Sequence, residues 1–414
     1  MIRLGYACLN KSINKTNFKT CRLKNASEDR LKELIKYNLD SLIYILLYNK
    51  NVGINFYRIS SDIIPFGSHK INNIEWWKEF KNELDNIKSI IKENDFRVSM
   101  HPGQYTVLDS NNRTVVDNAI SELEYHGKFL DEITDDYTHK IVLHIGGIYG
   151  DKSKAIERFI ENFNNLSNNV KNRLIIENDE KNYTIEDVLY ISDIINIPVV
   201  FDNLHNQING NYEINDILNK VYKTWDAKDG NPKSHYSQQA PYKRIGSHTK
   251  TIEPYSFLKY INNMSKDVDI MLEVKDKNIS TEKLMTLMNN DINVLRNEWG
   301  KYKYNIMEKS YYDYKTISKY INSDSPELQK FIYMLDKSLN KEKSIGDEIN
   351  TINHIWGYFK KDSTKEEREK LFNIVRDYKQ KDIHISEVKK YLYELTVKYR
   401  QDYLLNSYYF NKIY

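Results

Sequence analysis

Short runs of β-branched and apolar residues alternate along this chain with longer stretches whose apolar positions recur every three or four residues. The runs fall at 2–7, 55–60, 96–100, 139–145, 173–178, 198–203, 233–238 and 269–274 and read as strands, the seventh being the weakest. Helical spacing predicts helices over 28–48, 75–94, 112–130, 154–166, 185–195, 212–222, 255–263 and 280–297. Ser27 has the character of an N-cap for the first, whose apolar stripe includes Leu31, Leu34 and Ile35. Strand and helix thus alternate about eight times, the period of a TIM barrel. An open doubly wound sheet alternates likewise, but with fewer units and often a glycine-rich phosphate fingerprint, for which Gly146-Gly147 is too little. The expected fold is α/β, a TIM (β/α)8 barrel.

After about residue 300 the texture changes to helical periodicity without convincing strands. Residues 324–326 and 361–365 look like helix boundaries, and Trp356, Phe359, Leu371 and Val375 could line a small bundle core. The expected organisation is a barrel domain at 1–299 and a C-terminal all-helical domain at 300–414.

The strand ends carry the chemistry. His101, His144, Glu177, Asp202, His205, His235, His248 and Glu273 all fall at predicted strand ends or in the loops that follow. The C-terminal ends of parallel barrel strands converge on one face, so these groups are expected to meet. Imidazoles mixed with carboxylates suit Zn²⁺, Mn²⁺ or Fe²⁺, and the lack of thiolates argues against structural zinc. So many groups exceed one ion's needs, which leads to two or three ions with bridging carboxylates, an arrangement that cleaves phosphodiesters. A single strand-end histidine is more often a hydrogen-bonded loop residue, and Glu177 or Asp202 alone could cap a helix or pair with a cation. Their joint placement on one face carries the reading. His126, His139, His354 and His384 fall elsewhere and read as structural or surface residues.

Composition narrows the class. With 414 residues, 40% hydrophobic and 29% charged, the chain can bury a large core and a second domain. A net charge of +3 gives no overall field for nucleic acid, so such binding needs a local patch. Residues 223–250 supply one candidate, mixing Lys223, Lys228, Lys233, Lys243, Arg244 and Lys250 with Trp225, Tyr236 and Tyr242; a solvated long loop is the plain alternative. Cys8 and Cys21 fit neither a zinc knuckle nor a disulfide framework, which points to a reducing compartment. The opening residues lack a signal-peptide core and the apolar segment 39–48 is too short for a bilayer, so a cytoplasmic protein without a membrane partner is expected. The 33 tyrosines are spread along the whole chain and read as compositional bias.

The segments RISSDIIPFGSH, RVSMHPGQYTVL, LHIGG, RLIIENDE, VVFDNLHN, PKSHYSQ and MLEVKDK, in order over about residues 1–295, resemble the UV damage endonuclease family. That family is a TIM-barrel relative of the endonuclease IV abasic-site nucleases. The resemblance implies a DNA repair enzyme acting on damaged double-stranded DNA, nicking the backbone immediately 5′ of cyclobutane pyrimidine dimers, 6-4 photoproducts and abasic sites. It would leave a 3′-hydroxyl and a 5′-phosphate. The resemblance also implies up to three divalent ions, manganese first among them, held by the eight residues above, with Glu177 and Asp202 bridging. Gln104-Tyr105 matches the family's probing dipeptide, and Tyr6, Asn10 and His69 match positions near the lesion pocket and scissile phosphate. Lys233 matches a lysine that can be carboxylated in the family, and is equally a phosphate contact. The segments NHIWGYFKKDSTKEEREKLFNIVRDYKQ and DYLLNSYYF, within about 310–414, resemble a small helical bacterial domain family of unassigned role.

Two other readings fit a metal-bearing barrel. A sugar isomerase or epimerase would need a general base and polar groups for hydroxyls, but has no use for the Gln104-Tyr105 dipeptide or a basic aromatic loop. A non-catalytic DNA-binding or metal-storing scaffold would not need so many convergent ligands.

Overall fold

The structure, a computed structural model, describes residues 2–14, 16–210, 212–262, 264, 267–288 and 292–410. Eight parallel strands close into a barrel in chain order: β1 Arg3–Ala7, β2 Phe56–Ile59, β3 Arg97–Met100, β4 Lys140–His144, β5 Leu174–Glu177, β6 Val199–Asp202, β7 Lys233–Tyr236 and β8 Asp269–Leu272. Each lies inside one of the expected runs, and β8 pairs back onto β1 through Arg3 with Asp269 and Tyr6 with Leu272.

The helices start where short polar side chains can take the free backbone amides of a first turn. Ser27 accepts from the Arg30 amide to begin Glu28–Val52, and Asn112 from Thr114 to begin Arg113–Ile133. Thr184 and Asp187 form a reciprocal capping box for Ile185–Ile195. Two expectations differ. The helix predicted over 75–94 is two, Trp76–Glu79 and Lys81–Glu93, broken at Phe80, whose φ of −108° and ψ of 32° leave the helical region. Short helices at Asn168–Arg173 and Asn203–Ile208 stand where no helix was expected, because Ser167 and Asp202 cap polar segments that carry little apolar periodicity. Residue 263, at the end of the expected helix 255–263, and residues 289–291, within 280–297, lie outside the described residues; the helices there are Pro254–Asn262, Asn278–Met288 and Ile292–Lys309.

Side chains alternate along a strand, so every second residue enters the barrel. The upper layer holds His144 beside Glu177 and Asp202 beside His235, paired in register. Two residues below, Val142, Ile175 and Val200 cluster over the Trp225 ring, and Ala7, Phe56 and Met271 pack together. The floor is polar: Arg97 donates to Asp269 Oδ2 at 2.7 Å and to the Asp229 carbonyl at 2.6 Å, while Lys140 donates to the Asn172 carbonyl at 2.7 Å and pairs with Asp229. These charges are sealed in, and leaving either partner unpaired would cost about 3–5 kcal/mol. A polar floor, an apolar middle and an open C-terminal mouth leave the upper layer as the place for chemistry.

The chain forms two compact units: Met1–Ile252 with Tyr260–Glu282, and Glu253–Lys259 with Lys283–Tyr414. The second is helical, with Ile292–Lys309 running across position 300. Its core gathers Tyr304, Met307, Ile352 and Leu392 with the four residues expected there, Trp356, Phe359, Leu371 and Val375. At the boundary expected over 361–365, Thr364 and Glu367 form a capping box for Lys365–Lys379. Among the described residues no helix is long and apolar enough to cross a membrane.

Candidate metal centre

Glu177, the last residue of β5, stands at the middle of the mouth. His235 Nδ1 lies 2.7 Å from its Oε1 and His205 Nδ1 3.8 Å; His101 Nε2 lies 3.3 Å from its Oε2 and His144 Nε2 3.8 Å. Potential ligand atoms of His101, His144 and Glu177 all lie within 4.8 Å of one another, as do those of Glu177, Asp202 and His205. The two groups share Glu177. On the far side Glu273, following β8, lies 3.4 Å from His235 and 3.8 Å from His248, so all eight expected ligand residues are connected.

The donor set fits divalent cations. Glu177 Oε2, Asp202 Oδ2 and His144 Nδ1 are buried without a hydrogen-bond partner, a cost that a cation would relieve. Burial pushes His101 down to about 4 despite its approach to Glu177, which keeps its imidazole in the neutral, ligating form. Burial opposes charge on His205, yet Asp202 and Glu177 raise it to about 9, so a cation arriving there competes with a proton. Burial favours neutral Glu177, but His235 and His144 hold it well below the carboxylate range; for Asp202 burial wins and the shift is upward.

Several supporting residues were not legible as such. Arg58, a lone cation inside apolar β2, pairs with Glu273 at 2.5 Å. Asn178 clamps Asp202 through both main-chain groups, at 2.9 and 3.1 Å, and its carbonyl sits 2.9 Å from His205 Nδ1. His126, buried as expected of a structural histidine, lies 2.8 Å from Ser61 Oγ, which donates to the His101 carbonyl. The signal for Arg58 was a charge breaking an apolar run; nothing local marked the other two.

The remaining expected residues divide into three groups. Gln104 and Tyr105 project from the loop after β3, and Tyr105 is 83% exposed. That loop is braced from beneath: Asn162 and Arg158 donate to the Leu108 and Asp109 carbonyls, and Tyr183 to the Asp109 carboxylate, at 2.8, 2.7 and 3.2 Å. Tyr6 lies on the other parity of β1 from Ala7 and faces the helices, where its hydroxyl donates to Asn49 at 2.7 Å and accepts from Asn10 at 2.9 Å. Both residues are buried and stand apart from the ligand cluster, as does His69, exposed on the loop after β2 with Nδ1 accepting from the Ile71 amide. Lys233 enters the barrel two residues below His235; it is 2% exposed, and its Nζ has no hydrogen-bond partner and lies 5.1 Å from the Phe56 ring centroid.

The aromatic patch expected over 223–250 is corrected in part. Trp225 is buried and donates to the Val199 carbonyl at 2.8 Å, and Tyr236 is buried in β7. Of its three aromatics only Tyr242 is exposed, with Lys243 and Arg244 beside it. A buried indole and an exposed one look alike when the neighbouring residues are equally polar.

Comparison with known proteins accords with this geometry. The sequence profile of the family described as UV-endonuclease UvdE matches residues 2–303, and that of a protein of unknown function (DUF1722) matches 303–413. A UV DNA damage endonuclease of Clostridium perfringens (strain 13 / Type A) is 45% identical over 353 residues, 83% of this chain and 85% of its own length. That of Bacillus cereus (strain B4264) is 35% identical over 280 residues, 66% of this chain and 88% of its own. The crystal structure of SacUVDE matches with a TM-score of 0.67 at 40% identity, covering 70% of this chain and 98% of that one.

Proposed function

Because the chain belongs to the UV-endonuclease UvdE family, and is therefore a DNA endonuclease of UV-damage repair, we propose that it nicks the backbone immediately 5′ of the lesion through a multi-metal centre built on Glu177. The substrates are duplexes bearing pyrimidine dimers, 6-4 photoproducts or abasic sites, and the products carry a 3′-hydroxyl and a 5′-phosphate. The observation that carries this reading is one buried carboxylate facing four imidazoles with an oxygen left unpaired.

In this reading His101, His144, Asp202, His205, His235, His248 and Glu273 would complete the ligand set around Glu177, which is common to both candidate cation groups, whereas Asp202 belongs to one of them. When bound, up to three divalent ions, manganese foremost, would stabilise charge on the scissile phosphate and the leaving oxygen and lower the pKa of the attacking water. The protein's own groups do the rest. Asn178 holds the Asp202 main chain and Ser61 the His101 carbonyl, fixing the backbone that carries these two side chains, and Arg58 holds Glu273 anionic. Gln104 and Tyr105 enter the stack at the lesion, where extrusion is cheap because pairing is already damaged. Arg244 takes a backbone phosphate and His69, exposed on the loop after β2, serves the scissile-phosphate side, while Tyr6 and Asn10, both buried, act there only as support behind β1.

Lys233 is proposed to be carboxylated. Burial holds its amine well below the usual lysine range, so the free base that attacks carbon dioxide is present; the new N–C bond forms as the nitrogen loses a proton. A carbamate resonance after labelling with isotopic bicarbonate is expected in the wild type and not in Lys233→Arg; equal spectra would remove the modification. Residues 300–414 are proposed to form a separate domain whose role the barrel chemistry does not require.

Metal dependence is tested on UV-irradiated supercoiled plasmid. Chelation should reduce nicking to background and Mn²⁺ should restore it; undiminished nicking after exhaustive chelation would contradict a metal centre.

A further inference from the structure

We infer that the hairpin at residues 239–248 is a second DNA-distorting element, whose Tyr242 and Ile245 enter the duplex from the side of the mouth opposite Gln104-Tyr105. The inference rests on the proposed lesion-directed incision and adds to it a second wedge. In a closed ring of eight strands, β3 and β7 are four places apart in either direction. Loops leaving them therefore face each other across the mouth, and His101 and His235, at the two strand ends, bring their rings to 6.1 Å between them. The β3 loop carries Tyr105 at 83% exposure; the β7 hairpin carries Tyr242 at 105% and Ile245 at 72%.

These apolar groups are held out on a rigid turn. The Ala240 amide donates to the Ser247 carbonyl at 2.7 Å and the Ser247 amide to the Arg244 carbonyl at 2.9 Å. Gln239 fills the turn, its amide nitrogen donating to the Ala240 and Arg244 carbonyls at 3.0 Å and its oxygen accepting from the Gly246 amide at 2.8 Å. At the root, Gln239 bridges His248 and the Thr249 amide donates to the Gln238 carbonyl at 2.9 Å. Tyr242 sits at φ 57°, in the left-handed region that non-glycine residues rarely occupy, and such strain persists only where surrounding bonds impose it. A tip fixed in this way has paid its ordering entropy before it binds.

The charges around it select the partner. Lys243 and Arg244 lie between the two apolar residues, and at the hairpin's root a cleft of about 430 Å³ is lined by Arg58, His248, Glu273, Lys275 and Lys277. A partner that offers phosphates to the cations and flat apolar faces to the tip is nucleic acid rather than protein. The hairpin also ends in His248, so a duplex engaged by the tip is drawn onto the candidate ligand layer. Apolar wedges of this kind unstack a base step and kink the duplex, and two of them would share the unstacking cost of a few kcal/mol.

The test uses the full-length, manganese-loaded protein and duplexes with and without one thymine dimer, carrying a fluorescent adenine analogue in the undamaged strand beside the lesion. Wild type should prefer the damaged duplex, cut it, and raise the fluorescence as the analogue unstacks. Tyr242→Ala with Ile245→Ala should weaken damaged-duplex binding about tenfold, in line with the loss of one base stack, and blunt the fluorescence rise at unchanged manganese content. Tyr242→Trp alone should bind and unstack as wild type does. A lesion-selective wild type whose binding and fluorescence the Ala variant reproduces overturns the inference alone. A wild type that treats the two duplexes alike overturns the proposed function first.

Discussion

Replacing Glu177 with Ala should lower nicking of UV-irradiated plasmid about a thousandfold, some 4 kcal/mol of transition-state stabilisation. Glu177 is common to both candidate cation groups, so its removal disturbs both positions at once. The loss should appear in kcat, because the carboxylate is proposed to hold the catalytic ions and is 1% exposed, beneath the surface a duplex would touch. Far-UV circular dichroism and the unfolding midpoint should stay close to wild type, since the apolar layer below is untouched. Metal content measured on the purified variant should fall in parallel. Nicking within a few-fold of wild type would remove Glu177 from the centre.

The second large effect concerns recognition. Replacing Gln104 and Tyr105 together with Ala should weaken binding to a dimer-containing duplex about ten- to a hundredfold, the worth of one aromatic–base stack at 1–3 kcal/mol. Undamaged duplex, which these residues would not penetrate, should lose little. The braces beneath the loop remain in the variant, so the β3 strand and His101 keep their places. Binding measured on both duplexes decides: equal loss on the two would make the dipeptide a general DNA contact and end its role as a lesion probe.

The barrel was readable because most of its strands are short apolar runs that alternate with helical periodicity, and all eight lie within the runs the pattern marks. The clustering of the candidate ligands was readable for a related reason: a histidine or acid at the end of an apolar run is visible locally, and the fold brings run ends together. What escaped was set by contacts between distant residues. Phe80 breaks a helix although it keeps the apolar spacing. Trp225 looked like a stacking platform but closes the barrel interior under Val142, Ile175 and Val200. Tyr6 shares β1 with Ala7 yet points the other way, a difference of one residue that parity decides and motif matching ignores. Arg58 and Asn178 acquire meaning only from Glu273 and Asp202, far along the chain.

The eight gathered groups are proposed to make a centre that cuts DNA beside a photolesion. The most direct test of this proposal is to incubate the purified protein and Mn²⁺ with a duplex oligonucleotide containing a single thymine dimer and to map the break. One cut is expected, at the phosphodiester immediately 5′ of the dimer, with a 3′-hydroxyl that a polymerase can extend. A duplex left intact, or cut equally with and without the dimer, would contradict it.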